Sequence, residues 1–317
     1  MTQAPSDVDL AAGLTSAQVA ERVANGQVNA VKDRNARSLS SIVRANTFTY
    51  FNALIGGLWV LMLVSAPLID SLFGLVIVVN TAIGIVQEYR AARTLSKLSL
   101  VDRWMISRLA AATRQIDECI SQFDFAGYAQ ALYDIVWRDF CDWYLEAIKP
   151  TVAADASQKL VLRAALDVLL RLAHPVMPFI SETIFEHLRS TPVRSQSWLT
   201  LDDSPVELLC RAAWPRFAAG AEDTGSVQEF ARVQTLATSI REVRAQHNVP
   251  PKRKIVLHAP SIGTKLAESH SPLLRALVPI ESITSDGAKG ASVAFVFESM
   301  EWKASSLADA VDAGAER

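Results

Sequence analysis

The chain has 317 residues, 50% of them hydrophobic and 20% charged, with a formal net charge of -2. That length allows two or three domains, each with its own core. Three cysteines (Cys119, Cys141, Cys210) without CxxC spacing and five scattered histidines exclude a disulfide framework, a zinc finger or a metal cluster, and a reducing cytoplasm is the natural setting. No metal site is expected, and no cofactor is assigned to this chain.

The mean hydropathy of +0.19 is concentrated between Thr47 and Val86. Ahead of that stretch, Met1–Asp9 is polar and free of a signal-peptide pattern. Residues Leu14–Arg22 read as a short amphipathic helix, capped by Thr15 or Ser16 and stopped at Asn25-Gly26. A basic stretch with Lys32, Arg34, Arg37 and Arg44 follows.

Two uncharged apolar runs come next, Phe48–Ser65 and Ser71–Val86, joined by Ala66-Pro67-Leu68-Ile69-Asp70. The first is long enough for about 27 Å of helix, so the pair predicts a two-helix transmembrane hairpin that meets lipid through residues 48–86. Cations flank both outer ends (Arg44 before; Arg90, Arg93 and Lys97 after), and the turn carries none. The positive-inside rule then places both termini in the cytoplasm. A chain whose hairpin does not insert would be cytoplasmic.

From Val101 the composition changes. Leu132, Val136, Phe140, Trp143, Tyr144 and Ile148 recur at helical steps until Pro150, with Trp137, Trp143 and Tyr144 read as bundle packing. Asp142 and Glu146 are expected to pair with Arg138 and Lys149. Further helices are predicted over 157–173, 179–188 and 226–246, with His174-Pro175-Val176-Met177-Pro178 as a break where His174 caps or hydrogen-bonds. Cys141 reads as a small core residue. Residues 191–220, with Trp198 and Trp214, read as a packed loop. Short strands are predicted at 255–258, 280–283 and 293–297, and residues 306–317 as the start of a helix. No Gly or Pro occurs between Tyr89 and Cys119, which predicts one unbroken helix across the seam near Leu100.

Each half carries a resemblance. Gly13-Leu14-Thr15-Ser16-Ala17-Gln18-Val19, Ser41–Thr49 and Val86-Gln87-Glu88-Tyr89-Arg90 resemble the N-terminal end of a bacterial P-type cation-transporting ATPase, yet neither DKTGT nor TGES occurs. The resemblance therefore implies a membrane hairpin without transport.

Residues from Val101 resemble the anticodon-binding region of valyl-tRNA synthetase. The strings are Val101–Leu109, Phe140-Cys141-Asp142-Trp143-Tyr144-Leu145-Glu146, His174–Glu182 and Ile240–Pro251. The class I HIGH-type and KMSKS-type motifs are absent. The resemblance implies valine-type tRNA as partner, without catalysis by this chain alone; ATP and magnesium belong to the full-length families.

These readings predict a mainly α chain: a segment 1–45, a hairpin and stalk 46–100, a helical-bundle anticodon-binding domain 101–215, and a small α/β appendage 216–317 leading to a truncated coiled coil. RNA recognition needs cations for phosphates and flat groups for unstacked bases. Arg103, Trp104 and Arg108 offer both on one helix, with Trp104 either a stacking face or core. Arg241 and Arg244, followed by Lys252, Arg253 and Lys254, form a basic group suited to a phosphate backbone, or else a solvated face. No residue is assigned a catalytic role, and oligomeric state is left open. Two other functions stay open: a membrane-anchored P-type ATPase fragment, and a fusion of two gene fragments with no evolved function.

Overall fold

The computed structural model describes residues 39–65, 72–191, 193, 195–201, 206–285 and 292–307. The expected helix at 14–22, the cations Lys32, Arg34 and Arg37, the Pro67 turn and residues 308–317 lie outside them. Ser306 and Leu307 are described and are not helical.

Helices α1 (Leu39–Thr47) and α2 (Tyr50–Ser65) meet at an elbow of 62°. Asn52 fixes the elbow: its Nδ2 donates to the carbonyls of Asn46 (2.8 Å) and Thr47 (3.2 Å). Helix α3 (Phe73–Leu95) returns alongside α2. Gly74 permits the close approach, because a Cβ there would stand 2.1 Å from the Trp59 ring.

Among the described residues, α3 from Gly74 to Leu95 is the one helix long and apolar enough to cross a membrane by itself. The expectation of two full spans is corrected. The elbow leaves α2 only 16 residues, about 24 Å of helix against a hydrocarbon core of about 30 Å, and α1 and α2 reach span length only as a bent pair.

The seam is also corrected: the helix does not run through it. Helix α3 ends at Leu95, a turn follows, and α4 (Leu100–Ser121) starts afresh. Ser99 is the reason. Its extended backbone and side chain cap α4, accepting from the Asp102 N–H, while its hydroxyl donates to Asp102 Oδ2 at 2.6 Å. A good cap stops a helix that propensity alone would continue. The halves still share a core, since Ala91 and Leu95 of α3 pack with Val101, Trp104 and Met105 of α4.

Helix α4 is the axis of the bundle. Against it lie α5 (Phe125–Tyr133), the π-wound stretch Asp134–Leu145 that continues α5, α6 (Ala156–Ala173) and α8 (Thr224–Gln246). A single turn, Glu146–Ile148, closes the π-wound stretch before Pro150. Helix α7 (Pro178–Leu188) packs on α6. Between α6 and α7, His174 caps α6 and shares a 2.8 Å hydrogen bond with Ser181, as expected. The described residues between 191 and 220 form a packed loop around buried Trp198, with a two-stranded ladder of β1 (Leu199–Thr200) and β2 (Arg216–Phe217).

Packing runs without a break across positions 215 and 216, because α8 lies on α4 and also on the C-terminal sheet. That sheet has the order β4-β3-β6-β5, from β3 (Ile255–His258), β4 (Ile280–Thr284), β5 (Ser292–Phe297) and β6 (Met300–Ser305). Strands β3 and β4 run parallel, and helices α9 (Ser261–Ser269) and α10 (Ser271–Leu277) make the crossover. The three predicted strands are present. The fourth, β6, was missed because only Trp302 and Ala304 turn inward among Glu301, Lys303 and Ser305.

Candidate nucleic-acid interface

Helix α4, the π-wound stretch and α8 enclose a groove of about 540 Å³. Helix α4 gives Trp104 and Arg108, the π-wound stretch Arg138, Asp139 and Trp143, and α8 a polar row of Gln234, Thr235, Thr238, Ser239 and Glu242. On α8, Gln234, Thr238 and Glu242 recur every four residues, which places them on one face.

Asp139 organises the cations. It is buried, and its two oxygens accept from Arg108 Nε at 2.8 Å and Arg138 Nε at 2.9 Å. Arg138 also approaches Asp134 at 3.5 Å. The Asp139 hydrogen bond holds the Arg138 guanidinium above its ordinary pKa. One buried carboxylate thus aims two arginines at the groove rim while cancelling part of their field. Such a site suits hydrogen bonding and stacking more than bulk phosphate attraction.

Trp143 supplies the flat surface. The Arg241 guanidinium lies 4.9 Å from its ring centroid, and Arg241 Nη2 donates to the Leu277 carbonyl at 3.0 Å. Trp143 meets Phe230 edge-on at 6.4 Å.

The expected site residues separate. Trp104 is core: it is 2% exposed, and Phe230 covers it at 4.3 Å, so only its edge reaches the groove. Arg103 turns the other way and pairs at 3.6 Å with Asp223, the N-cap of α8. Arg108 faces the groove. Arg241 and Arg244 do not make one patch. Arg241 is exposed, whereas Arg244 is 7% exposed and donates to the carbonyls of Arg253 (2.8 Å), Pro250 (2.9 Å) and Pro251 (3.3 Å). Burial lowers the Arg244 pKa. Arg253 Nε donates to the Ser306 carbonyl at 2.8 Å, while Lys252 and Lys254 are exposed and have no ion-pair partner among the described residues.

Trp137 corrects the packing expectation from the other side. It is 57% exposed and stacks on exposed Tyr133, rings 11° apart and centroids at 6.3 Å. Tyr144 is core, as expected, and Trp143 is half-buried. Lys149 pairs with Glu146 at 2.6 Å, but Arg138 chooses Asp134 and Asp139 over Asp142. Cys141 packs on the core as a small residue. Burial first, and the Asp142 carboxylate second, push its thiol pKa up, which disfavours the thiolate. No group of metal-binding side chains occurs among the described residues.

Comparison with known proteins decides what this bundle is. Residues 102–259 match the family described as anticodon-binding domain of tRNA ligase. The chain is 34% identical over 209 residues to the valine–tRNA ligase of Zymomonas mobilis, covering 62% of this chain and 22% of that protein. It is 31% identical over 192 residues to the Thermotoga maritima valine–tRNA ligase, covering 60% and 20%, and 35% identical over 162 residues to that of Mycobacterium leprae, covering 51% and 17%. Residues 102–259 are thus similar to an anticodon-binding domain of the valyl-tRNA synthetase type.

The chain spans about a fifth of the length of these curated relatives. They support the resemblance from Val101 onward, while the P-type ATPase resemblance of residues 1–100 finds no support among them. The groove residues missed in the sequence were Arg138, Asp139, Trp143 and the polar row of α8. The row carried a readable signal in its four-residue spacing; the Asp139 bridge carried none.

Proposed function

We propose that the anticodon-binding domain binds tRNA, with valine tRNA the cognate class, through the groove between α4, the π-wound stretch and α8. The observation that carries this reading is the match of residues 102–259 to the family domain, together with likeness to valine–tRNA ligases. The groove supports it with two aimed arginines, an indole face and hydrogen-bonding groups on α8. Valine activation and transfer, with their ATP and magnesium, are assigned to the full-length family and not to this chain alone.

The test is fluorescence anisotropy of the full chain with labelled valine tRNA, valine tRNA of altered anticodon and a non-cognate tRNA, across a salt series. Binding should fall with salt and prefer valine tRNA, and Arg108→Ala/Arg138→Ala should weaken it. Equal affinity for all three RNAs, or none at low salt, overturns the reading.

A second reading concerns residues 39–95. We infer that α2 and α3 sit in a membrane, with the bundle and both chain ends on the cytoplasmic side. The supporting observation is that α2 buries none of its residues and α3 leaves Leu75, Val76, Val78, Val79, Ile83 and Val86 exposed. Quantitative release from membranes by carbonate would overturn it. An ancestry from a P-type ATPase segment joined to a synthetase fragment stays a proposal about origin. A continuous transcript across the Leu100 codon tests whether the joined chain is made.

A further inference from the structure

The apolar pair α2/α3 does not end abruptly; it ends in layers. Along α3 the exposed apolar residues stop at Val86, exposed Tyr89 follows, and Arg90 and Arg93 come next, both exposed. Backwards along α2 the order is the same. The exposed Leu58 and Leu54 give way to exposed Phe51, Tyr50 and Phe48, and then to exposed Arg44 on α1. Two cross-links place these series at one end of the pair. Asn52 Nδ2 donates to Thr81 Oγ1 at 3.3 Å, and Asn46 Nδ2 donates to Glu88 Oε2 at 2.7 Å.

The sign of the charge is controlled as well. Glu88 is the one carboxylate among the described residues from 39 to 99, and it is 5% exposed, turned in against Asn46. Arg44, Arg90, Arg93 and Lys97 are all exposed, so the exposed charges contributed by the described residues from 39 to 99 are cationic. Helix α1 leaves α2 at 62° with Leu39 and Val43, four residues apart, exposed beside Arg44. Helix α1 also packs on α3, so its exposed Leu39, Val43 and Arg44 are the face it offers to an interface.

We propose that this end is a binding collar for anionic phospholipid headgroups, with α1 lying in the headgroup layer and Arg44, Arg90, Arg93 and Lys97 contacting lipid phosphates. Charge complementarity selects the occupant: an aromatic ring followed by a ring of exposed cations is the lining an acidic leaflet calls for. A second copy of this chain would bring the same cations face to face. The proposal rests on the membrane reading above and adds a lipid class to it.

The full chain is synthesised cell-free among equal amounts of two differently dyed vesicle populations, separated afterwards by flotation. One is phosphatidylcholine; the other contains about three parts phosphatidylglycerol in ten. At low salt the chain should favour the anionic vesicles by at least about tenfold, with the preference lost at high salt. Each arginine removed should cost up to about fivefold of that preference, so Arg44→Gln/Arg90→Gln/Arg93→Gln should lose most of it. Arg90→Lys/Arg93→Lys should keep the preference, and tRNA anisotropy on each variant reports whether the bundle is folded. Even distribution of the unaltered chain at low salt overturns the collar while leaving the membrane reading in place. A chain found with neither population, or as a soluble dimer joined through α2 and α3, overturns both.

Discussion

Helices α2 and α4 are both built on leucine, isoleucine, valine and tryptophan, and they end in opposite environments. Helix α2 is apolar on every side and buries nothing, whereas α4 sinks Trp104, Met105, Ile106 and Leu109 in the core and keeps Arg114 and Glu118 outside. Burial inside a protein follows the arrangement of apolar residues, not their number. A stripe can be satisfied by three neighbouring helices, while an all-round apolar surface needs more protein than these neighbours supply. Helix α3 joins the two regimes: its first turns are exposed, and Ala91 and Leu95 enter the bundle core.

The sharpest way to break this comparison is to make one substitution in both regions. Leu109 is 0% exposed and Leu61 is 61% exposed. Leu109→Ala should lower the unfolding free energy of the bundle by about 2–5 kcal/mol. Leu61→Ala should change it by no more than about 0.5 kcal/mol. Chemical denaturation of the full chain in a mild detergent, followed by hydrogen exchange of α4 amides, compares them. Equal effects would mean that α2 is packed on the bundle.

Arginine gives the next contrast. Arg244→Ala removes part-buried hydrogen bonds to three carbonyls, at about 1–3 kcal/mol of stability. Its effect on tRNA binding should therefore vanish once the variant is compared with wild type at matched fractions folded. Exposed Arg93, changed to Ala, should leave the denaturation midpoint where it is.

These contrasts show how far sequence carries. The bundle was legible because some of its boundaries are written in local chemistry: Pro150 and the His174–Pro178 break each stop a helix, whereas the Asp223 cap that starts α8 went unread and the helix was placed two residues late. Strands β3 to β5 were read as short strands from the sequence, close to their observed bounds. The site was less legible, because residue type does not say which way a side chain turns. Arg103 and Arg108 lie on one helix, yet one holds the cap of α8 and the other faces the groove. Trp104 took the core, one of its two open readings, whereas Trp137, expected in the packing, is exposed, partly because the π-wound stretch Asp134–Leu145 has wider turns than the periodicity assumed. Ser99 was the overlooked signal at the seam. A serine three residues before an aspartate is a capping pair, and it outweighed a stretch without Gly or Pro.

Asp102 adds a pH test of that joint. Burial raises its pKa above the ordinary 3.8, against the opposing hydrogen bonds from Ser99 and Tyr144. A carboxyl whose folded-state pKa is raised stabilises the fold through its protonated form. That contribution is complete below the unfolded value and is lost as pH rises through the folded one. The chain should therefore lose stability as pH rises from about 4 through the raised value, and Asp102→Asn should flatten the slope in that window. Glu88, the buried carboxylate of the other region, provides the comparison: Glu88→Gln keeps an acceptor for Asn46, and the slope assigned to Asp102 should survive it.

The smallest effect is expected where the two regions offer the same group to different polyanions. Lys252 and Lys254 follow the α8 turn, and Lys97 follows α3; all three are exposed. Lys252→Ala/Lys254→Ala should leave stability within about 0.5 kcal/mol. If both lysines meet tRNA phosphates, the slope of log affinity against log salt should become shallower by about 1.4, about 0.7 for each single-strand phosphate no longer neutralised. Lys97→Ala should leave that slope unchanged and act only on vesicle preference. A shared effect of Lys97 and Lys252 on both polyanions would mean that neither surface is selective. With a net charge of -2, summed charge repels both tRNA and an acidic leaflet, so any attraction has to come from local placement.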